Sequence, residues 1–415
     1  MAVFMLSLTR VWVFVFAALL ALVPFAAKPI VQGGAVILFL LILWDRVRTA
    51  QGRPVLSFSR YDLSVQIIGG LLALIVISML WSVDPGHAAH ALPRLTLIFF
   101  AGLVLIAGAP RISVPQEKDW GILVAGLSFG MLAVLFLVGT KFQFFAWVRG
   151  VEGAPAYVTN KAVGVLTLIA PAVLLPLVTM RHRAAVVSFF WGLALILIMV
   201  VATTGQSALL AFCVMLMAYF LPLGSKKIRL ILKGLLFFGV MGAPFLVMAL
   251  WPYAQMMAQN DLLKEASAPE RMEVWFAITQ KILERPIWGY GFDATQAITH
   301  FDTQQIYQPG TRFSHPHNLA LQVWVEFGAV GALFLSWALI TTLRHILAHP
   351  ARAVRRLYFT SYAATLSVAL VGWGMWQGWW MTLVLLIVFL NLVAGRLIQA
   401  QDALAIKPTD SRAIS

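Results

Sequence analysis

Apolar stretches of bilayer-spanning length recur along almost the whole of this chain, and that recurrence limits what it can fold into more than any other feature. Runs of about 18 or more apolar residues read as membrane-spanning helices, because within hydrocarbon the backbone must satisfy its own polar groups. Twelve candidate segments lie near 5–25, 31–44, 62–82, 92–109, 119–139, 162–180, 184–203, 207–223, 229–251, 318–343, 357–372 and 375–395. The second is short, and the last two almost touch. Composition agrees: 61% of residues are hydrophobic and 11% charged, against about 25% charged in a soluble domain. The expected fold is all-α, a polytopic membrane protein of about twelve transmembrane helices with no soluble domain of independent size. The apolar run after Arg10 ends in Pro24-Phe25-Ala26-Ala27, which looks like a signal-peptide cleavage region. It is long for one, and many spans follow, so it reads as an uncleaved first span. The single cysteine, Cys213, falls inside a span, so no disulfide framework exists.

A net charge of +14 would suit a nucleic-acid partner, but its distribution has a simpler cause. With twelve spans both termini share a side. Placing them in the cytoplasm puts most of the basic residues in short inner loops, among them Arg46, Arg48, Arg53, Arg181, Arg183, Lys226, Lys227, Arg229, Arg352, Arg355 and Arg356. That is the positive-inside pattern. The basicity is topology, and no nucleic acid is implied. The reading is a multi-pass membrane protein with both termini cytoplasmic. It divides into spans one to nine (1–251), one long polar excursion facing outward, into the periplasm if the cell is Gram-negative (252–317), spans ten to twelve (318–396) and a polar cytoplasmic tail (397–415). No internal repeat is evident, which weighs against the repeat construction of many secondary transporters.

The excursion is where aqueous chemistry can be built. Ser267-Ala268-Pro269-Glu270 reads as a capping box opening a helix that ends at Arg285-Pro286. Trp275, Ile278 and Ile282 form its apolar face, and Arg271 lies one turn before Trp275 on that face. An arginine so placed is costly unless it meets an anion. The excursion closes on Ser314-His315-Pro316-His317-Asn318. Asn318 or its neighbour opens the next span, which sets His317 at a helix start, where the dipole disfavours imidazolium and keeps the ring basic. Glu326 lies one to two turns further in, either orienting a catalytic group or held in a buried ion pair. Gly328 and Gly331, one turn apart, allow close helix approach. Two earlier outward loops carry further candidates: Arg149 and Lys161, the latter at the entry to a span, and Gln206 in the short hairpin Thr203-Thr204-Gly205-Gln206-Ser207. The outward acids are scattered, with no Asp-x-Asp pair and no clustered His, Cys or carboxylate ligands, so no metal is suggested.

His317-Asn318-x9-Gly328-x-x-Gly331, in the last long outward loop of a twelve-span chain, resembles the O-antigen ligase family, whose superfamily includes O-antigen polymerases and O-linked oligosaccharyltransferases. Arg271-x3-Trp275-x10-Pro286-x2-Gly289-Tyr290-Gly291 and Thr159-Asn160-Lys161 also look like that superfamily. In one departure, Gln206 stands in the short outer hairpin where many members carry arginine. The resemblance implies a membrane-embedded glycosyltransferase of type C, inverting, with no metal or other cofactor. Its donor would be a glycan on undecaprenyl pyrophosphate and its acceptor a sugar hydroxyl of lipid A–core. It implies His317 as proton acceptor, with His315 the second candidate and Asn318 and Glu326 secondary. Arg271, Lys161, Arg312 and Arg149 would hold the pyrophosphate, with hydrogen bonds from Gln206. Polymerase, protein-directed transferase and lipid-linked sugar transporter stay open as alternatives.

Overall fold

A computed structural model describes residues 8–49, 62–150, 156–180, 182–258, 267–298 and 315–406. Among them are fourteen α-helices and no strand. They are α1 (Leu8–Thr49), α2 (Leu63–Ser78), α3 (Pro85–Gly108), α4 (Glu117–Gly139), α5 (Gln143–Arg149), α6 (Asn160–Leu174), α7 (Arg183–Ala202), α8 (Gln206–Phe220), α9 (Lys226–Met241), α10 (Ala243–Ala258), α11 (Ser267–Glu284), α12 (Leu319–Ala348), α13 (Arg352–Val371) and α14 (Gly378–Ile406). Among the described residues, seven helical stretches are long and apolar enough to cross a membrane, or eight if α9 and α10, bent by 75°, make one span. The protein is a polytopic all-α membrane protein.

Each of the twelve apolar segments falls on a helix, yet fewer of them are full-length spans, for local reasons. Segments 5–25 and 31–44 share α1, which breaks at Ala26 (φ −159°, ψ 66°) between Pro24 and Pro29. Each proline removes a backbone donor from the helical ladder. Segments 62–82 and 207–223 yield helices of 16 and 15 residues, shorter than the roughly 20 needed to cross upright. Segment 229–251 bends between α9 and α10, where Pro244 has no N–H to offer the Val240 carbonyl. The Trp324 indole fills that place, donating to Val240 O at 2.8 Å. At the other end, α14 continues to Ile406, so residues 399–406 extend the last helix instead of starting an irregular tail. Likewise α10 runs past Trp251 to Ala258, which delays the start of the long excursion.

Two large buried apolar clusters make most of the core, with a small third one where α8, α12 and α13 meet. One gathers α1, α4, α6, α7, α8, α13 and α14 with the end of α3. The other gathers α2, α3, α10, α11, α12 and the segment 290–298, with Val240 of α9 and Met381 of α14. The polar machinery lies where they meet.

Helix α12 holds the feature that organises the excursion. It breaks at Gly328 (φ 61°, ψ −154°). In an unbroken helix the N–H groups of Ala329 and Val330 would bond to the carbonyls of Val325 and Glu326. Here the loop 286–291 takes all four partners. Tyr290 N–H donates to Val325 O at 2.9 Å and Gly291 N–H to Glu326 O at 2.8 Å, while Ala329 N–H donates to Pro286 O at 2.8 Å and Val330 N–H to Ile287 O at 3.4 Å. The approach is backbone on backbone. A Cβ on Gly328 would lie 2.3 Å from the Ile287 carbonyl, and one on Gly289 (φ 67°) 2.5 Å from that of Glu326. The glycines of the two motifs thus serve each other. The expected close approach of a second helix at Gly328 is corrected: the partner is this loop. Gly331 instead leaves room for the side chains of Phe327 and Val323 on its own helix.

Candidate active site

The short connection Gly372-Trp373-Gly374-Met375-Trp376-Gln377 between α13 and α14 touches nearly every group in question. Val371 O accepts from Arg271 Nη1. Gly372 O meets His317 Nδ1. Gly374 lies under the His315 ring, where a Cβ would come within 2.5 Å of it. Met375 N–H donates to Gln322 Oε1 at 2.8 Å, and Trp376 Nε1–H to Glu326 Oε2 at 2.6 Å. Trp373 occupies the space left by Gly164 on α6, where a Cβ would come within 2.3 Å of its ring. These seven residues, 371–377, therefore bring α6, α11, α12 and the His315–His317 segment to one place.

His317 adopts a left-handed backbone (φ 55°), a conformation uncommon outside glycine and asparagine that must be held by its surroundings. Asn318 then caps α12, its Oδ1 accepting from Leu321 N–H at 3.1 Å, as the sequence anticipates. Trp275 Nε1–H donates to Pro316 O at 2.7 Å, which ties α11 to the histidine segment and explains the tryptophan of the Arg271-x3-Trp275 motif. Because Gly372 O can only accept, His317 Nδ1 carries the proton in the neutral ring, and Nε2 keeps its lone pair. Burial lowers the His317 pKa, its bond to Gly372 O pushes it the other way, and the nearby Arg271 charge lowers it further. The ring is thus a neutral base with its basic nitrogen fixed. His315 packs beside it, ring centroids 4.3 Å apart. Its pKa is lowered to about 4 by burial and by His317.

Glu326 is fully buried. Its Oε2 accepts from Trp376 Nε1–H and, at 3.2 Å, from Asp293 N–H. Its Oε1 accepts from Gln322 Nε2–H at 3.0 Å and from Thr295 Oγ1–H at 3.2 Å. Four donors from three segments compensate its burial. Of the two roles expected for Glu326, the buried ion pair is not what forms among the described residues. The carboxylate instead fixes the 372–377 connection and the segment 293–295 against α12. Asp293 extends the network to α3, pairing with His87 at 2.9 Å. Burial raises the Asp293 pKa against the pull of His87.

The remaining candidates separate. Lys161 stands in the first turn of α6, one turn before Gly164 and its Trp373 contact. Lys28, just past the α1 break, is near enough to repel it. Two ammonium groups so placed are relieved by a bound anion. Asn160 Oδ1 accepts from Thr204 Oγ1–H at 3.2 Å, joining the Lys161 turn to the hairpin that carries Gln206, which is exposed at the start of α8. Arg149 ends α5, and of it only the backbone is described. Arg312 lies outside the described residues.

A model of the O-antigen ligase family matches residues 191–336. Over this stretch the chain is similar to the O-antigen ligase family. Curated relatives bear the name "Putative polysaccharide ligase". Those of Rickettsia prowazekii and Rickettsia typhi are 31% and 30% identical over 133 and 131 residues, each alignment covering 30% of this chain and 32% of the relative. The protein of Rickettsia bellii is 23% identical over 317 residues, 74% of both chains. The chain therefore spans about a third of the length of the first relatives it matches. The matched stretch contains Gln206, Arg271, His315, His317, Asn318 and Glu326. Lys161 and the 371–377 connection lie beyond it. Sequence reasoning missed that connection, although two glycines, two tryptophans and a glutamine stand between α13 and α14, where two residues would turn the chain.

Proposed function

We propose that this protein is an O-antigen ligase, moving a glycan from undecaprenyl pyrophosphate to a sugar hydroxyl of lipid A–core at the periplasmic face of the inner membrane. The observation that carries this reading is His317 held as a neutral base by Gly372 O, with the Arg271 charge beside it, inside the family-matched stretch. His317 Nε2 takes the proton of the acceptor hydroxyl as its oxygen attacks the anomeric carbon. The bond from that carbon to the pyrophosphate oxygen breaks on the opposite face, which inverts the centre. The pyrophosphate departs with the bonding pair, and Arg271, Lys161 and Lys28 stabilise its charge. Guanidinium donors suit phosphate oxygens, and meeting charge as it develops is often the largest catalytic term. Gln206 adds a hydrogen-bonding amide where many relatives have arginine. Arg312 and Arg149 complete the proposed cation set. The polyprenyl tail lies among the apolar helices.

The test is reconstitution with undecaprenyl-pyrophosphate glycan and three acceptors: lipid A–core, a second lipid-linked glycan, and a pilin-like peptide. The expected product forms on lipid A–core alone and is lost in His317→Ala. Transfer to either other acceptor in its place would overturn the acceptor assignment, and transfer by His317→Ala the assignment of the base.

A further inference from the structure

Two histidines stand side by side, yet the chemistry needs one base. What separates them is a glutamine outside the family-matched residues. Trp379 Nε1–H donates to Gln377 Oε1 at 2.8 Å. An indole N–H cannot accept, so the Gln377 oxygen faces Trp379 and its amide nitrogen faces His315. That nitrogen lies 3.1 Å from His315 Nε2. An amide NH2 only donates, so His315 Nε2 must be the acceptor, and the proton of the neutral ring sits on Nδ1. Gly374 admits the ring to this position, since a Cβ there would fall 2.6 Å from His315 Cδ2.

From this geometry we infer that Gln377 is a positioning residue: it occupies the lone pair of His315, keeps that ring uncharged next to His317, and so reserves the base role for His317. The inference rests on the reading of His317 as the base. Among the described residues, these ionisable groups act on the pair or lie beside it. His317 itself faces His315, and Arg271 of α11 acts on His317. The Glu326 carboxylate of α12 is engaged by Trp376, Gln322, Thr295 and Asp293. An imidazolium at His315 would oppose the positive charge that His317 must acquire as it takes the proton. The indole of Trp379 thus sets the amide, the amide sets one ring, and that ring leaves its neighbour chargeable.

Gln377→Glu inverts this arrangement. A carboxylate only accepts, so His315 must present an N–H to it and gains a stabilised protonated form. The experiment is the pH dependence of glycan transfer to lipid A–core from pH 5 to 9 in reconstituted full-length protein. In the parent the rate rises through a single step below pH 6.5. In Gln377→Glu a further step is expected between pH 6 and 8, with the rate at pH 6 depressed roughly tenfold and recovered by pH 8.5, equivalent to about one pH unit of displacement. Trp379→Phe removes the donor that orients the amide and is expected to show the same step with smaller amplitude, whether or not Gln377→Glu folds. A parental profile shape in Trp379→Phe, or in a folded Gln377→Glu, would overturn the inference, even if all rates fall uniformly. His317→Ala is run alongside: if it still transfers, the base assignment fails, and if it is inactive while the other two keep the parental profile, only the role of Gln377 fails.

Discussion

At the scale of single residues, the site is built by fixing proton positions. His317 and His315 are two apart in sequence and differ in what faces their nitrogens, a carbonyl in one case and an amide NH2 in the other. This gives His317 an available basic nitrogen near neutral pH without a carboxylate partner among the described residues. His317→Ala is expected to lower the transfer rate by about 10²–10⁴, the usual contribution of a general base, with donor binding retained because Arg271 and Lys161 are untouched. In the parent enzyme, activity falls as pH drops through a value below 6.5, since burial holds the His317 pKa under its ordinary level. A profile whose acid limb sits above 6.5 would contradict this. The sequence made His317-Asn318 legible because a cap and a motif are local signals. It left His315 as a second candidate because its glutamine partner lies 62 residues away.

At the scale of elements, the interlock of α12 with loop 286–291 decides whether the excursion holds its shape. Gly328→Ala places a Cβ in a left-handed position and against the Ile287 carbonyl. That positive-φ, extended-ψ conformation alone costs a residue with a side chain about 1–3 kcal/mol, and the backbone clash adds to it. A clear fall in thermal midpoint and in transfer rate is expected, measured in detergent and in liposomes. Gly33→Ala in α1 is the contrast, with an ordinary helical backbone and nothing within 4 Å of the added atom. Helix propensity predicts a gain of up to about 1 kcal/mol there. Equal effects at the two positions would remove the interlock from the account. Hydrophobic patterning runs without interruption through Gly328, so the helix was legible and its break was not. A period of 3.6 records which face is buried, and is silent on which carbonyls a distant loop will claim. The same holds at Ala26, where two prolines were visible but their joint effect on one continuous helix was not.

At the scale of the whole molecule, the two apolar clusters meet around a polar seam that is neutral by arrangement. The seam makes stability depend on pH with a definite sign. His315 has a folded pKa of about 4 and an ordinary value of 6.5, so between these the unfolded chain binds more protons. Its contribution to stability is complete above pH 6.5 and is lost as pH falls toward 4. The thermal midpoint should drop over that window, and His315→Phe should flatten the drop; a midpoint indifferent to pH there would rule it out. Class and architecture were legible at this scale because composition and apolar length are global properties. The number of full-length spans was not, since it depends on where helices bend.

The contact of His317 with Gly372 also sets a calendar. Arg271, His315 and His317 leave the ribosome before the residues that hold them, and the tautomers are fixed only after α13 is complete and the chain has turned toward α14. A nascent chain therefore lacks the contact that directs the His317 ring until residue 372 has been made. If His317 is the base, as proposed, a copy cut short before that connection is expected to be inactive.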